Sequence, residues 1–180
     1  MRSPGARIKA YIDTNIYVYA ILHHPVYGEV CSNIIRDIGR GLYEAHGSHM
    51  VAIELLGSLS RIDPSLARKA VELYLSSRHV VIHELSEDVI HLASIINELT
   101  NVRYDSVHAA VMLLNSIQVV ISNDRDDWLR LLSKYDAIKE KVGRETYVKL
   151  PEVLSLVTPN EYREWVKKPN KRSRRLGVSV

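Results

Sequence analysis

The sequence predicts a three-layer α/β domain, a mainly parallel sheet flanked by helices. Three observations carry this. Short apolar runs of strand length alternate with segments whose apolar residues recur at helical spacing. The runs are continuously apolar, as strands buried on both faces are. The helical segments open on recognisable caps.

Residues 8–12 form the first strand and stop on Asp13, with Thr14 and Asn15 behind it. Residues 42–46 are a weaker strand. In the next helix, Ile53 and Leu56 are expected to face the core with Glu54 beside them. Asp63-Pro64 reads as an N-cap followed by a first-turn proline, and Leu66, Ala70, Leu73 and Ser77 continue at helical spacing. Residues 80–83 are the third strand. Ser86 then precedes Glu87 and Asp88, acids suited to a helix's positive end, and the stripe Val89, Leu92, Ala93, Ile96 and Leu99. Val107, Ala110, Val111 and Leu114 mark the next helix, with Asp105 at its start. Residues 117–122 form a fourth strand, with Asp124 just beyond, and Trp128, Leu131, Leu132 and Tyr135 form another stripe. The segment 134–149 is charged, poorly periodic and reads as an insertion, and residues 153–157 are the last strand.

A chain of 180 residues that is 46% hydrophobic can bury one substantial core. No run approaches the ~18 apolar residues of a membrane span, no secretory signal is evident, and a single cysteine, Cys31, excludes an internal disulfide or a cysteine-based metal site. An intracellular, cytoplasmic soluble protein is expected. The net charge of +3 is unevenly spread, because Lys167, Lys168, Lys171, Arg172, Arg174 and Arg175 leave about −3 on residues 1–166. We therefore expect a domain over 1–166 and a basic, disordered tail over 167–180 that seeks phosphate or another acidic surface. A plain solvated terminus is the alternative.

Open parallel sheets bind ligands beyond the carboxyl ends of their strands. Asp13 and Asp124 follow strands, Asp105 starts a helix, and Glu54 interrupts an apolar one. Each acid has a plainer reading. Asp13 and Asp124 could be helix caps, Asp105, Asp126 and Asp127 first-turn acids, and Glu54 part of a solvated stripe with Ser58 and Arg61. Capping gives no reason for Glu54, however, and the joint placement favours one acidic cleft.

The stretches "YIDTNIYVYA", "VAIELLGSL", "RYDSVHAAVML" and "VVISNDRDDW" resemble, in this order, the four acidic motifs of PIN-domain nucleases, which include VapC-type toxins. "VLSLVTPNEYREWV" resembles that family's closing strand and helix. The departures are Asp127-Trp128, where an aromatic often follows Asp126 directly, the insertion at 134–149, and the basic tail. The resemblance implies strand order 3-2-1-4-5 and a divalent-metal-dependent ribonuclease. It also implies RNA as substrate, a cognate antitoxin protein as partner, a homodimer, and no membrane association.

Hard oxygen ligands suit Mg²⁺ or Mn²⁺, and no zinc-type set of histidines and cysteines competes. Asp13 and Asp105 are the expected principal ligands, Asp124 binds directly or through water, and Glu54 holds a water or a second ion. These four acids are the expected catalytic set. Asp126 is a candidate fifth acid. Thr14, Asn15, Ser122 and Asn123 are candidates for orienting carboxylates, waters or a phosphate. His108, one helical turn after Asp105, reads as a packing or supporting residue. His79 and His83 read as structural, and Tyr17 and Tyr19 as core-edge residues rather than base-stacking ones. Ten tyrosines take the place of the absent phenylalanine. A haloacid-dehalogenase-type phosphatase would need an Asp where Asn15 stands. A non-catalytic RNA-binding or ribosome-maturation module of the same fold remains the other reading.

Overall fold

The computed structural model describes residues 7–167. Its centre is a five-stranded sheet in which β1 (Lys9–Ile12) lies between β2 (Glu44–Ser48) and β4 (Val119–Ile121), with β3 (Val80–His83) and β5 (Ser155–Val157) at the edges. Every pairing is parallel, giving the order 3-2-1-4-5 expected above. Parallel neighbours require crossover connections, and helices supply them. Between β1 and β2 run α1 (Thr14–Ile21) and α2 (Gly28–Gly39), followed by α3 (His49–Ser60) and α4 (Pro64–Leu75) before β3. Helices α5 (Glu87–Thr100) and α6 (Asp105–Leu114) lead to β4, and α7 (Arg125–Ser133) and α8 (Tyr135–Glu145) to β5. The last described element is α9 (Pro159–Lys167).

Central position explains the apolar run of β1: Ala10, Tyr11 and Ile12 are fully buried, with Tyr11 in register with His46 on one side and Val120 on the other. β2 sits two residues later than expected. Its sequence, Glu-Ala-His-Gly-Ser, carries little apolar signal, and its imidazole at His46 stacks on His83 of β3 with ring centroids 5.2 Å apart. Gly47 is needed there because a Cβ would come 2.1 Å from the hydroxyl of Tyr74, which donates to the Ser48 carbonyl. Six of the ten tyrosines are buried, as the missing phenylalanines implied: Tyr11, Tyr17, Tyr43, Tyr74, Tyr135 and Tyr162.

Several caps form as expected. Asp63 accepts from the backbone N–H of Ser65 and Leu66, and Ser86 from that of Val89. Two helix faces are rotated from the expected ones. In α4 the buried residues are Ala67, Ala70 and Tyr74, while Leu73 is 73% exposed. In α3 the core takes Val51, Ala52, Leu55 and Leu59, leaving Ile53 and Leu56 about half exposed. The segment read as an insertion is largely α8, a helix that buries Tyr135, Ile138 and Val142 and packs against α5. Lys141 of α8 reaches Glu98 of α5 at 2.6 Å. Of the tail, only Lys167 falls within the described residues. Among the described residues no helix is long and apolar enough to cross a membrane.

Candidate active site

The site is built outward from the end of β1. Asp13 follows Ile12 and is 4% exposed. Its backbone N–H is held by the carbonyl of Ile121 at the end of β4 (3.1 Å), so the two central strands terminate together. As N-cap of α1, Asp13 accepts the Thr14 N–H on Oδ1 at 2.6 Å. Its Oδ2 accepts from Asn15 Nδ2 (2.8 Å) and from the Ser122 hydroxyl. Asn15 also takes the Asn123 N–H on Oδ1 (3.0 Å), and Ser122 Oγ accepts the Asp124 N–H (3.0 Å). Thr14, Asn15, Ser122 and Asn123 thus tie the two strand ends together around one carboxylate. A strand stops on Asp13 because that carboxylate organises the sheet's switch point.

Glu54 comes up from α3, half-buried. Its Oε2 accepts from the Thr14 hydroxyl and from His108 Nε2 at 2.9 Å. His108 is fully buried in α6, and its Nδ1 meets the Tyr11 hydroxyl at 2.8 Å. Tyr11 in turn meets Ser48 Oγ (2.7 Å), the N-cap of the helix that carries Glu54. Burial pushes Glu54 up, but the His108 and Thr14 hydrogen bonds and the His108 charge outweigh it and hold it below the usual range. Burial pulls His108 down, yet the Glu54 bond and the charges of Asp13, Glu54 and Asp105 raise it above its ordinary value. Each partner therefore favours the charged form of the other.

Asp105 lies in the first turn of α6. Burial, then the charge of Asp13 and further those of Asp124 and Asp127, push it up to about 8 against the pull of His108. Asp124 is the N-cap of α7, accepting from the Asp127 N–H at 3.3 Å. It too is raised, by burial first and then by neighbouring acids, against the Asp127 hydrogen bond.

One open cleft of about 530 Å³ is lined by Asp13, Glu54, Asp105 and Asp124 together. It is also lined by Asp127 rather than by Asp126, the expected fifth acid, which is exposed. The reason is helical rotation: once Asp124 caps α7, the residue three positions on returns to the cap's side. Two clusters have ligand atoms within 4.8 Å of one another, Asp13 with Glu54 and His108, and Asp105 with Asp124 and Asp127. His108 Nε2 is committed to Glu54, which leaves carboxylates as the donors facing the cleft. An oxygen-only set suits a hard divalent cation, which would offset the charges of Asp13, Asp124 and Asp127 that, after burial, raise Asp105.

A cluster of acids around the buried Asp13, at the switch point of a 3-2-1-4-5 parallel sheet, defines the class of protein. The PIN domain family model matches residues 10–136, and the chain belongs to that family. Solved structures of similar fold include VapBC2 from Rickettsia felis bound to a promoter DNA fragment (18% identity, 84% of this chain and 98% of that one, TM-score 0.52). VapC20 of Mycobacterium tuberculosis, a sarcin–ricin loop cleaving toxin, is also similar (17%, 67% and 93%, TM-score 0.58), as is DNA-bound VapBC from Salmonella typhimurium (16%, 84% and 98%, TM-score 0.52). Comparison with curated proteins finds no match.

The structure brings the four sequence-selected acids to one cleft and puts His108 in the supporting role read for it, bonded to Glu54. A histidine at i+3 from an acid on an otherwise apolar helix face was the available signal. Arg103 and Tyr104, directly before Asp105, also line the cleft and gave no signal of their own.

Proposed function

We propose that this chain is a divalent-metal-dependent endoribonuclease of the PIN family, acting as the toxin of a toxin–antitoxin pair. The single observation that carries the nuclease reading is the meeting of Asp13, Glu54, Asp105 and Asp124 in one cleft at the sheet's switch point. The antitoxin partner rests on the VapBC complexes among the structures of similar fold.

Asp105 and Asp124, joined by Asp127 whose carboxylate lies within 4.8 Å of theirs, would hold Mg²⁺ or Mn²⁺, with Asp13, the other expected principal ligand, lining the same cleft. Such a cation, when bound, activates water and stabilises charge on the departing oxygen. The chain's own part is positional. Thr14, Asn15 and Ser122 fix both oxygens of Asp13, so it cannot swing away from the cleft. Thr14 and His108 occupy Oε2 of Glu54, which leaves Oε1 to orient a water or a substrate hydroxyl. Positioning of this kind is worth several orders of magnitude in rate.

The test is cleavage of RNA by protein free of contaminating nuclease. Activity is expected with Mn²⁺ or Mg²⁺, and none in EDTA. Asp13→Asn and Asp105→Asn should each lower the rate by about 100-fold or more while the far-UV spectrum stays unchanged. Wild-type rates in both variants would remove the acids from the chemistry.

A further inference from the structure

The cleft has a second half that the metal reading does not use. Beyond the acids it is lined by Tyr19 of α1, by Gly57, Ser58 and Arg61 along α3, and by Arg103 and Tyr104. Glu54, Gly57, Ser58 and Arg61 follow the spacing i, i+3, i+4, i+7, so one face of α3 runs from the acids to a guanidinium. Two helical turns separate them, about 10 Å.

Arg61 and Arg103 are exposed and form no ion pair with any described residue, although five acids line the same cleft. Beside them Tyr104 is 69% exposed, unlike the six buried tyrosines. Its exposure is built in. The four-residue connection from α5 to α6 contains two left-handed residues, Asn101 (φ 56°) and Arg103 (φ 50°). An Arg there is strained. The turn is nevertheless pinned: the Arg103 N–H donates to Asn97 Oδ1 at 2.8 Å, Ser106 Oγ donates to the Arg103 carbonyl, and Val102 is buried. A fixed turn therefore displays an aromatic face and a cation next to a candidate metal ligand.

Free guanidinium groups ask for phosphate, and an exposed tyrosine face asks for a flat apolar partner. A nucleotide offers both. In a duplex the base faces are covered by their neighbours, so stacking on Tyr104 requires an unpaired base. Arg61 is offset from Glu54 by two helical turns along α3, which places it for a phosphate neighbouring the one at the acids.

We propose that this half of the cleft is a subsite for an unpaired nucleotide flanking the cleaved bond, with Tyr104 stacked on its base and Arg61 and Arg103 holding a neighbouring phosphate. Its place beside a cleaved bond rests on the nuclease reading; binding itself does not. Gly57 supplies an independent probe. A Cβ there meets nothing within 4 Å, so a side chain can start into the cleft from this position.

The experiment measures anisotropy of a labelled single-stranded RNA, and of the duplex of the same sequence, with full-length protein in EDTA. Turnover with Mn²⁺ is followed in parallel. Tighter binding of the single strand is expected. Tyr104→Ala should weaken it about 5- to 150-fold, from ~1–3 kcal/mol per stacked base, leave duplex binding unchanged, and raise KM more than it lowers kcat. Tyr104→Trp should restore affinity, which a merely structural role would not predict. Arg61→Ala and Gly57→Leu should weaken single strands too. Wild-type affinity in Tyr104→Ala, or equal loss for single strand and duplex, overturns the subsite while metal-dependent cleavage still stands. In that case the exposed ring is left for a protein partner. Loss of single-strand binding in Tyr104→Ala without cleavage by the wild type would instead remove the nuclease reading and keep the nucleotide site.

Discussion

Asp13 and Asp124 each do two jobs, because a carboxylate that caps a helix at a strand's end also points at the space beyond the sheet. The capping and cleft readings therefore describe the same side chains, and variants must separate them. Asp105 offers the cleaner case, since it makes no cap hydrogen bond. With its folded-state pKa raised to about 8 from 3.8, the folded protein binds the extra proton between these values. Stability from this residue consequently falls as pH rises through that window. Each tenfold change in proton affinity is worth about 1.4 kcal/mol. Asp105→Asn should melt higher than the wild type at pH 8 without metal, converge with it near pH 4, and lose the Mn²⁺-induced rise in Tm. Equal melting curves at both pH values would mean that Asp105 is an ordinary exposed acid. The Glu54–His108 pair combines both directions. Glu54 is lowered, so its contribution is present above its unfolded pKa and fades as pH falls through the folded one. His108 is raised, so its contribution is present below 6.5 and fades as pH rises through the folded value. The pair should be strongest between about pH 4.5 and 6.5. Glu54→Leu and His108→Leu should each destabilise by about 1–3 kcal/mol there, and the double variant by less than their sum. Additive losses would show that the two side chains do not act together.

Elements were legible where periodicity and caps agreed, and misread where packing overrode them. β1, β3 and the start of α4 and α5 lie where apolar runs and capping residues placed them. β2 was misplaced because a central strand can be held by its neighbours when it carries Glu, His, Gly and Ser. The face of α3 was misread for a related reason. Apolar residues occupy most of its length, so the pattern alone could not say which stripe meets the sheet, and Ile53 and Leu56 turned outward. In α8 three buried residues are hidden among charges that face solvent. Asp13 and Asp124 were readable from strand ends, Asp105 and Glu54 from their places on helices, and His108 as a supporting residue one turn after Asp105, whereas Arg61 and Tyr104 were not, since their places in the cleft arise from which helices adjoin. The contact between β2 and α4 gives a test at this scale. Gly47→Ala should destabilise by about 1–3 kcal/mol, because the new methyl group meets the Tyr74 hydroxyl. Tyr74→Phe removes that oxygen, so Gly47→Ala should do less harm in its presence. If Gly47→Ala melts like the wild type, the close approach has been absorbed by a shift of the ring.

At the scale of the whole molecule the charges pose a problem that the site alone does not solve. On the proposed nuclease reading, a cleft lined by five acids must receive a polyanion. Divalent cations neutralise the acids locally, and Arg61 and Arg103 add two positive charges at the rim. The densest run of positive charge in the sequence is at its end, where Lys168, Lys171, Arg172, Arg174 and Arg175 lie outside the described residues. Without those five the net charge of +3 becomes −2, so the remaining protein would repel RNA at long range. Charges of this kind release counterions on binding and carry no sequence information. Each phosphate contact on a single strand contributes about 0.7 to the slope of log affinity against log salt. Removal of residues 168–180 should therefore flatten that slope by up to about 3.5 and weaken unrelated RNAs alike. The ratio of single-strand to duplex binding should stay as it was, because that ratio belongs to the cleft. The measurement is a salt titration of RNA affinity from 50 to 200 mM for the full chain and the shortened one. An unchanged slope would take the tail out of RNA binding and point it at an acidic protein surface. A slope that flattens together with loss of the single-strand preference would move the recognition of unpaired RNA from the cleft to the tail.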